Sequence, residues 1–320
     1  MLDVTALGEL LIDFTCLSQD AQGYPVMAAH PGGAPANFLA ALAKFGAGTA
    51  LLGKVGNDAF GQALCRTLHD AKIETRGIVM DPKVFTTLAF VTLDESGNRS
   101  FSFARKPGAD TQLHFEELDL SFIEAAKVFH FGSLSLTHEP ARSATCQAVS
   151  HARKLGKLIS FDPNLRAPLW DDLQEAKRQI LWGLSQADII KIGDEEVEFL
   201  FGLNPQAGAA HILSSTSARL VFVTCGAGGC WFATRSVCGH VKVPSGIQAA
   251  DTTGAGDIFG GSAVWKLLQL NKQPEELTEP ELYDITRFAC AAASLSTMKS
   301  GGISSVPEYE EVCRLIHTDS

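Results

Sequence analysis

The 320-residue sequence has no stretch of 18 or more apolar residues, so nothing in it reads as a transmembrane helix. Its first residues, MLDVTALGELLIDF, carry carboxylates where a secretory signal needs basic residues, and a soluble, cytoplasmic protein is the expectation. Charge is scarce, at 19% of residues, and mostly of one sign: 36 acids against 26 bases leave −10. That balance excludes a protein whose main business is coating nucleic acid or lying on an anionic membrane, so neither is expected as a partner. Any polyanionic ligand has to be held by local groups. The eight cysteines include no C-x-x-C pair, and most sit in apolar surroundings such as FVTCGAGGCWF and RFACAAASL. They read as reduced core thiols, not as a disulfide framework or a zinc site.

Familiar catalytic fingerprints are missing too. Gly56 and Gly61 have P-loop spacing, but Gln62 stands where a Walker motif needs lysine. Gly254, Gly256 and Gly260 are spaced G-x-G-x-x-x-G, not G-x-G-x-x-G, and no second strand with a ribose-binding acid follows, which demotes hydride transfer. Neither G-x-S-x-G nor H-E-x-x-H occurs, and the nine histidines form no ligand pair at helical spacing, so hydrolase readings fare no better.

What is present is alternation. Apolar residues at 46% exclude disorder, and the length allows one large domain or two ordinary ones. Short β-branched or aromatic-rich runs at Val4–Gly8, Ala50–Val55, Val128–Phe131, Leu158–Phe161, Ile189–Ile192, Leu220–Thr224 and Gly229–Ala233 are the expected strands. Several lack polar alternation, as strands covered on both faces should. Between them, helices are expected at Ala34–Phe45, Ala141–Leu155, Leu173–Leu184, Thr253–Leu270 and Glu281–Lys299. The rhythm implies an α/β fold with a doubly wound, mostly parallel sheet flanked by helices.

Two segments break it: Leu11–Pro31, extended and helix-poor, and Thr86–Arg105, where LAFVTLD and RSFSFAR flank a hairpin signal at Glu95-Ser96-Gly97-Asn98. Phe101, Phe103 and Arg105 then share one strand face, which either covers a polar ligand or packs the hairpin onto the body. The expected organisation is a body of residues 1–10, 32–85 and 108–320, with a small inserted β-sheet lid from 11–31 and 86–107.

The strongest local signal is Asp251-Thr252-Thr253-Gly254-Ala255-Gly256-Asp257 at a helix start. Glycines there leave backbone N–H groups bare, and the helix N-terminus favours an anion. Asp257 beside that anion is either a helix-dipole partner or a general base for a hydroxyl. A second glycine turn, Pro31-Gly32-Gly33-Ala34-Pro35-Ala36-Asn37, opens the first long helix, with Asn37 able to donate to and accept from hydroxyls. Asp13 lies in an apolar stretch and needs a partner: a polyol, a basic residue or backbone donors.

Together, GGAPANFLAALAKFG and DTTGAGDIFGG resemble the two signatures of the ribokinase-like (PfkB) carbohydrate kinases, in the expected order near the chain's two ends. GELLIDF, KVFHFGSLSL, FDPNLRAPLW, ADIIKIGDEEVEFL and FACAAASLSTMKSGG resemble fructokinases in particular, so the likeness runs through nearly the whole chain. The resemblance implies a ribokinase-like fold, with Asp257 as catalytic base and the N–H groups around Gly254, Ala255 and Gly256 as anion hole. It implies sugar contacts from Asp13, Gly32, Gly33 and Asn37, with Asn164 and Arg166 lining the same cleft and Phe103 and Arg105 on the lid side; for Arg166 a structural ion pair is the rival reading. Lys191, Thr224, Gly226 and Gly229 match ATP-side positions, with Cys290 near the adenine. Glu196 matches the residue that organises Mg²⁺ through water, although Gly193 replaces the family's usual asparagine, and Asp251, Thr253 and Ser305 resemble a potassium site. The implied reaction is ATP-dependent phosphorylation of D-fructose to fructose 6-phosphate by a homodimer paired through its lids. A kinase of 2-keto-3-deoxygluconate or of a nucleoside-like riboside is the first alternative, and a non-catalytic sugar or nucleotide sensor the second.

Overall fold

The computed structural model describes residues 2–93 and 99–318. The hairpin turn expected at Glu95–Asn98 lies outside the described residues, as does the side chain of Phe101. The strands in chain order are β1 (Val4–Leu7), β2 (Leu11–Gln19), β3 (Pro25–Gly32), β4 (Thr49–Gly56), β5 (Ile73–Glu74), β6 (Ile78–Asp81), β7 (Leu88–Leu93), β8 (Arg99–Ala104), β9 (Val128–Gly132), β10 (Leu158–Asp162), β11 (Ile189–Gly193), β12 (Leu220–Thr224), β13 (Cys230–Ala233) and β14 (Cys238–Val241). The helices are α1 (Ala34–Lys44), α2 (Ala59–Asp70), α3 (Ser121–Ala125), α4 (Ala141–Lys154), α5 (Leu173–Gln186), α6 (Asp194–Phe201), α7 (Pro205–Ser215), α8 (Ala255–Leu270), α9 (Glu279–Ser296) and α10 (Tyr309–Thr318).

Ten strands form one sheet in the order β14-β13-β12-β11-β10-β9-β1-β4-β5, with β6 alongside β4. From β12 to β5 every pairing is parallel; β13 and β14 continue the sheet antiparallel, the departure from uniform winding. Alternate residues of one strand feed two separate cores. Leu220 and Phe222 of β12 join the core built on α1, α2, α8, α9 and α10, whereas Val221 and Val223 face the core built on α3 to α7. A strand buried on both faces has no reason to alternate polar with apolar, which is why these runs are legible as strands.

Helix ends follow local chemistry. Gly46 (φ 93°) and Gly156 (φ 69°) stop α1 and α4 in the left-handed region. Thr278 and Glu281 form a reciprocal capping box, which starts α9 at Glu279, two residues before the apolar pattern begins. Left-handed Gly254 delays α8 to Ala255, leaving Thr253 in the preceding turn.

A second, four-stranded sheet has the order β3-β2-β7-β8, with β2 and β7 parallel and the outer pairs antiparallel. Leu11–Pro31 is therefore a hairpin in its own right. Phe14 of β2 stacks on Phe90 of β7 at 5.2 Å and meets Phe60 of α2 edge-on at 5.6 Å, fastening this sheet to the larger one. All eight cysteines are free. Only Cys230 and Cys290 are buried, and Cys238 is exposed, which corrects the reading of them as core thiols. Among the described residues no helix is long and apolar enough to cross a membrane.

Candidate active site

The carboxyl ends of β1, β10 and β11, the start of α8 and the inner face of the small sheet enclose a cleft of about 620 Å³. Such a position, outside the carboxyl ends of parallel strands, is where open α/β sheets bind ligands. Asp13, Gly33, Asn37, Phe103, Asn164, Arg166, Lys191, Asp251, Thr253, Gly254, Gly256 and Asp257 line it. Residues far apart in sequence thus meet in one place.

Asp257 stands in the first turn of α8 and is buried. Burial pushes its carboxyl above the usual range against the pull of Lys191, the Asn37 amide and Arg166. Asn37 Nδ2 donates to Asp257 Oδ2 at 2.9 Å, while the buried Asn37 Oδ1 has no protein partner. No side chain caps α8; Gly254 and Gly256 line the cleft, while Ala255 does not and its N–H donates to the Thr252 carbonyl at 3.3 Å. At Gly256 a Cβ would stand 2.9 Å from Lys191 Nζ, so glycine lets an ammonium lie against the helix start.

The carboxyl of Asp13, the third residue of β2, accepts no hydrogen bond from the described protein groups. Burial lifts its carboxyl to about 6, with Arg166 opposing and Asp251 reinforcing. Of the three partners that the sequence allowed, a basic group, Arg166, acts on it only at longer range, and no backbone donor reaches it among the described residues. A Cβ on Gly32 would collide with Asp13 Oδ2, and one on Gly33 (φ 118°) with the Glu9 carbonyl, so both glycines are required for the turn to close on the acid. Arg166 is exposed and donates to the Leu165 carbonyl; it pairs with no carboxylate among the described residues, and its charge is felt by Asp13, Asp162 and Asp257 at longer range. The ion-pair reading of Arg166 is therefore not what the fold builds.

Arg105 departs from expectation. Its guanidinium is buried and spent on the protein, with Nε donating to Asp110 Oδ2 at 2.8 Å, one terminal nitrogen to Thr137 Oγ1 at 2.9 Å and the other to the Leu134 carbonyl at 3.0 Å. It fastens the end of β8 to the larger sheet and does not line the cleft. Sequence cannot reveal this, because the competing acceptors come from loops up to 32 residues away.

Lys191, expected on the nucleotide side, opens into the same cleft as Asp13 and Asn37. Thr224, Gly226, Gly229 and Cys290 do not line the cleft. They gather around the tight turn after β12, where Gly229 (φ 93°) leaves no room for a Cβ beside the Val241 carbonyl, and the Cys290 thiol, pushed up to about 12 by burial, lies within the field of Cys225. Glu196 is half-buried, with Oε1 accepting from the Leu165 N–H (2.6 Å) and Oε2 from the Gly193 N–H (2.7 Å). Asp251 closes a small turn on Thr253 and also accepts from the Gly301 N–H, while Ser305 is buried with its hydroxyl on the Gly302 carbonyl.

Two acids escape the sequence reading. Asp162, at the end of β10, accepts from Lys191 Nζ at 3.0 Å. Glu9 is buried, with burial raising its carboxyl to about 7 although the Ala34 N–H donates to it at 2.8 Å. Both lie inside blocks that carry the family likeness, and an acid ending or following an apolar strand is the signal that marks them.

The glycine turn of α8, the buried acid of its first turn and the acid of β2 thus share one cleft. The chain belongs to the pfkB family of carbohydrate kinases, whose sequence profile matches residues 1–309. It is 41% identical to fructokinase-1 of Zea mays over 318 residues, covering 98% of this chain and 97% of the maize protein. Fructokinase from Xylella fastidiosa with bound ATP superposes with a TM-score of 0.91 at 31% identity, over 99% of this chain and 98% of the other. A double-mutant fructokinase of Vibrio cholerae O395 in its fructose-, ADP- and potassium-bound form gives a TM-score of 0.87 at 31% identity, over the same shares.

Proposed function

We propose that this protein transfers the γ-phosphoryl group of ATP to D-fructose, giving fructose 6-phosphate. The observation that carries the reading is the pairing of buried Asp257 with Asn37 across the cleft from Asp13, whose carboxylate accepts from no donor among the described residues. The named relatives, fructokinases at 31 to 41% identity over nearly the full chain, support fructose as acceptor.

In this reading Asp13 and the Asn37 Oδ1 acceptor take sugar hydroxyls and set the orientation. Asp257 takes the proton as the primary hydroxyl oxygen bonds to the γ-phosphorus. The bond from that phosphorus to the bridging oxygen breaks, and the electron pair leaves with ADP. N–H groups of the Gly254–Gly256 turn and the Lys191 ammonium meet the developing charge, and because they are fixed before the reaction they cost no reorganisation during it.

The acid-rich surroundings suit a divalent cation. Burial raises the Asp162 and Glu196 carboxyls, and the charge of Asp162 raises Glu196 further, so added positive charge is favourable there. Glu196 is the carboxylate we place nearest Mg²⁺, which would be carried mostly by phosphates and water. When bound, Mg²⁺ neutralises charge on the phosphate oxygens. Asp251, Thr253 and Ser305 remain the proposed potassium loop, in line with the ion in the Vibrio relative.

The four-stranded sheet acts as a lid that excludes water once sugar is bound, with Phe103 on its inner side. Leu17, Tyr24 and Val26 are exposed at 65%, 69% and 44% on the far part of its β2–β3 hairpin, and we assign them to a homodimer contact through paired lids. The test of function is an acceptor panel of fructose, 2-keto-3-deoxygluconate and ribosides with coupled ADP detection. Fructose as the best acceptor is expected. Preferential turnover of another acceptor overturns the substrate, and no ADP formation with any sugar overturns the enzyme.

A further inference from the structure

Asp162 and Lys191 end up side by side because β10 and β11 are parallel neighbours with Phe161 paired to Ile190, and each residue follows its paired neighbour by one. Asp162 takes the Lys191 ammonium on both oxygens, at 3.0 and 3.3 Å. The same ammonium stands 2.9 Å from the point where a Cβ on Gly256 would be, against the glycine turn of α8. Strand backbones fix both Cα positions, so the carboxylate acts as a rigid strut aiming a flexible four-carbon side chain at the anion turn. Burial works against the lysine's charge, but Asp162, Glu196 and Asp257 outweigh it and hold the ammonium protonated. Arg166, which also lines the cleft, has no such strut among the described residues.

Building on the kinase reading, we propose that Asp162 is a positioning residue for phosphoryl transfer, holding Lys191 against the Gly254–Gly256 turn so that its ammonium meets the terminal phosphate. Asp162 Oδ1 also accepts from the Asn164 N–H at 3.2 Å, supporting the left-handed Asn164 (φ 44°). The substitution Asp162→Asn keeps that acceptor while removing the charge that holds Lys191, so it separates the two roles.

The experiment is a double-mutant cycle of D162N and K191M, read by kcat with the best acceptor of the panel. Its second readout is calorimetric affinity for a non-hydrolysable ATP analogue relative to ADP, both with Mg²⁺. D162N alone should lower kcat at least about tenfold, leave the sugar KM within about threefold and weaken the analogue more than ADP. Added to K191M, it should cost less than about threefold, because the residue it acts through is already gone. Equal cost in both backgrounds, or an unchanged analogue-to-ADP ratio, overturns the proposal. The nucleotide readout needs no acceptor, so failure of fructose turnover with this discrimination intact would refute the substrate assignment alone. Should D162N not fold, K191M carries the same nucleotide comparison, and unchanged discrimination in it is equally fatal.

Discussion

Replacing Asp257 with asparagine isolates proton removal from everything else the site does. The side chain keeps its size and an oxygen able to accept from Asn37 Nδ2. The substitution also removes a carboxyl whose ionisation burial opposes, so the fold should not suffer. What disappears is the base. General bases contribute about 10² to 10⁴ in rate, or about 3 to 5 kcal/mol of barrier. With fructose as acceptor and ADP formation followed by a coupled assay, kcat should fall by at least about 10² while the fructose KM moves less than about threefold. The pH profile supplies a second check. A base must be unprotonated, so wild-type kcat should decline as pH falls through the Asp257 pKa, which burial sets above the ordinary carboxylate range. The mutant's residual rate should lose that limb. Turnover within about tenfold of wild type, or an acid limb that survives the substitution, would refute the assignment of Asp257 as base.

Two further outcomes follow from buried charges. Asp13 has a folded-state pKa of about 6, above its unfolded value, so the folded protein binds the proton more tightly and loses stability as pH rises from about 4 through 6. Asp13→Asn should therefore raise the Tm of the sugar-free protein at pH 7.5 but not at pH 4, while raising the fructose KM about 10- to 100-fold through loss of a charged hydrogen bond; an unchanged KM would remove Asp13 from the sugar site. Arg105→Ala leaves Asp110 buried without its cation and should destabilise by about 3 to 5 kcal/mol in denaturant unfolding, and a change below about 1 kcal/mol would contradict its role in fastening β8 to the larger sheet.

Sequence legibility tracked how local the deciding physics is. Seven strands of the large sheet and the stops at Gly46 and Gly156 are written in local runs and appear where expected, whereas the short strands β5, β6 and β14 were not read from the sequence. Starts set by a cap were read less well: α9 begins at Glu279 because Thr278 and Glu281 satisfy each other, which apolar periodicity does not register. Arg105 was misread for a related reason. Its place in an alternating strand points it toward a ligand, yet acceptors from two separate segments, Asp110 and the turn at 134–137, claim its guanidinium.

The sequence by itself determined the α/β class, the two glycine turns and the acids that accompany them, because backbone conformation and helix-end chemistry depend on neighbours along the chain. Only the tertiary structure decided which charges face one another. Asn37 reaches Asp257 across 220 residues of chain, and Lys191 is aimed by Asp162 from the adjacent strand. Parallel pairing fixes strand ends to within a hydrogen bond of one another whatever their separation in sequence. Burial then turns that proximity into altered acidity, and neither quantity is encoded at any single position.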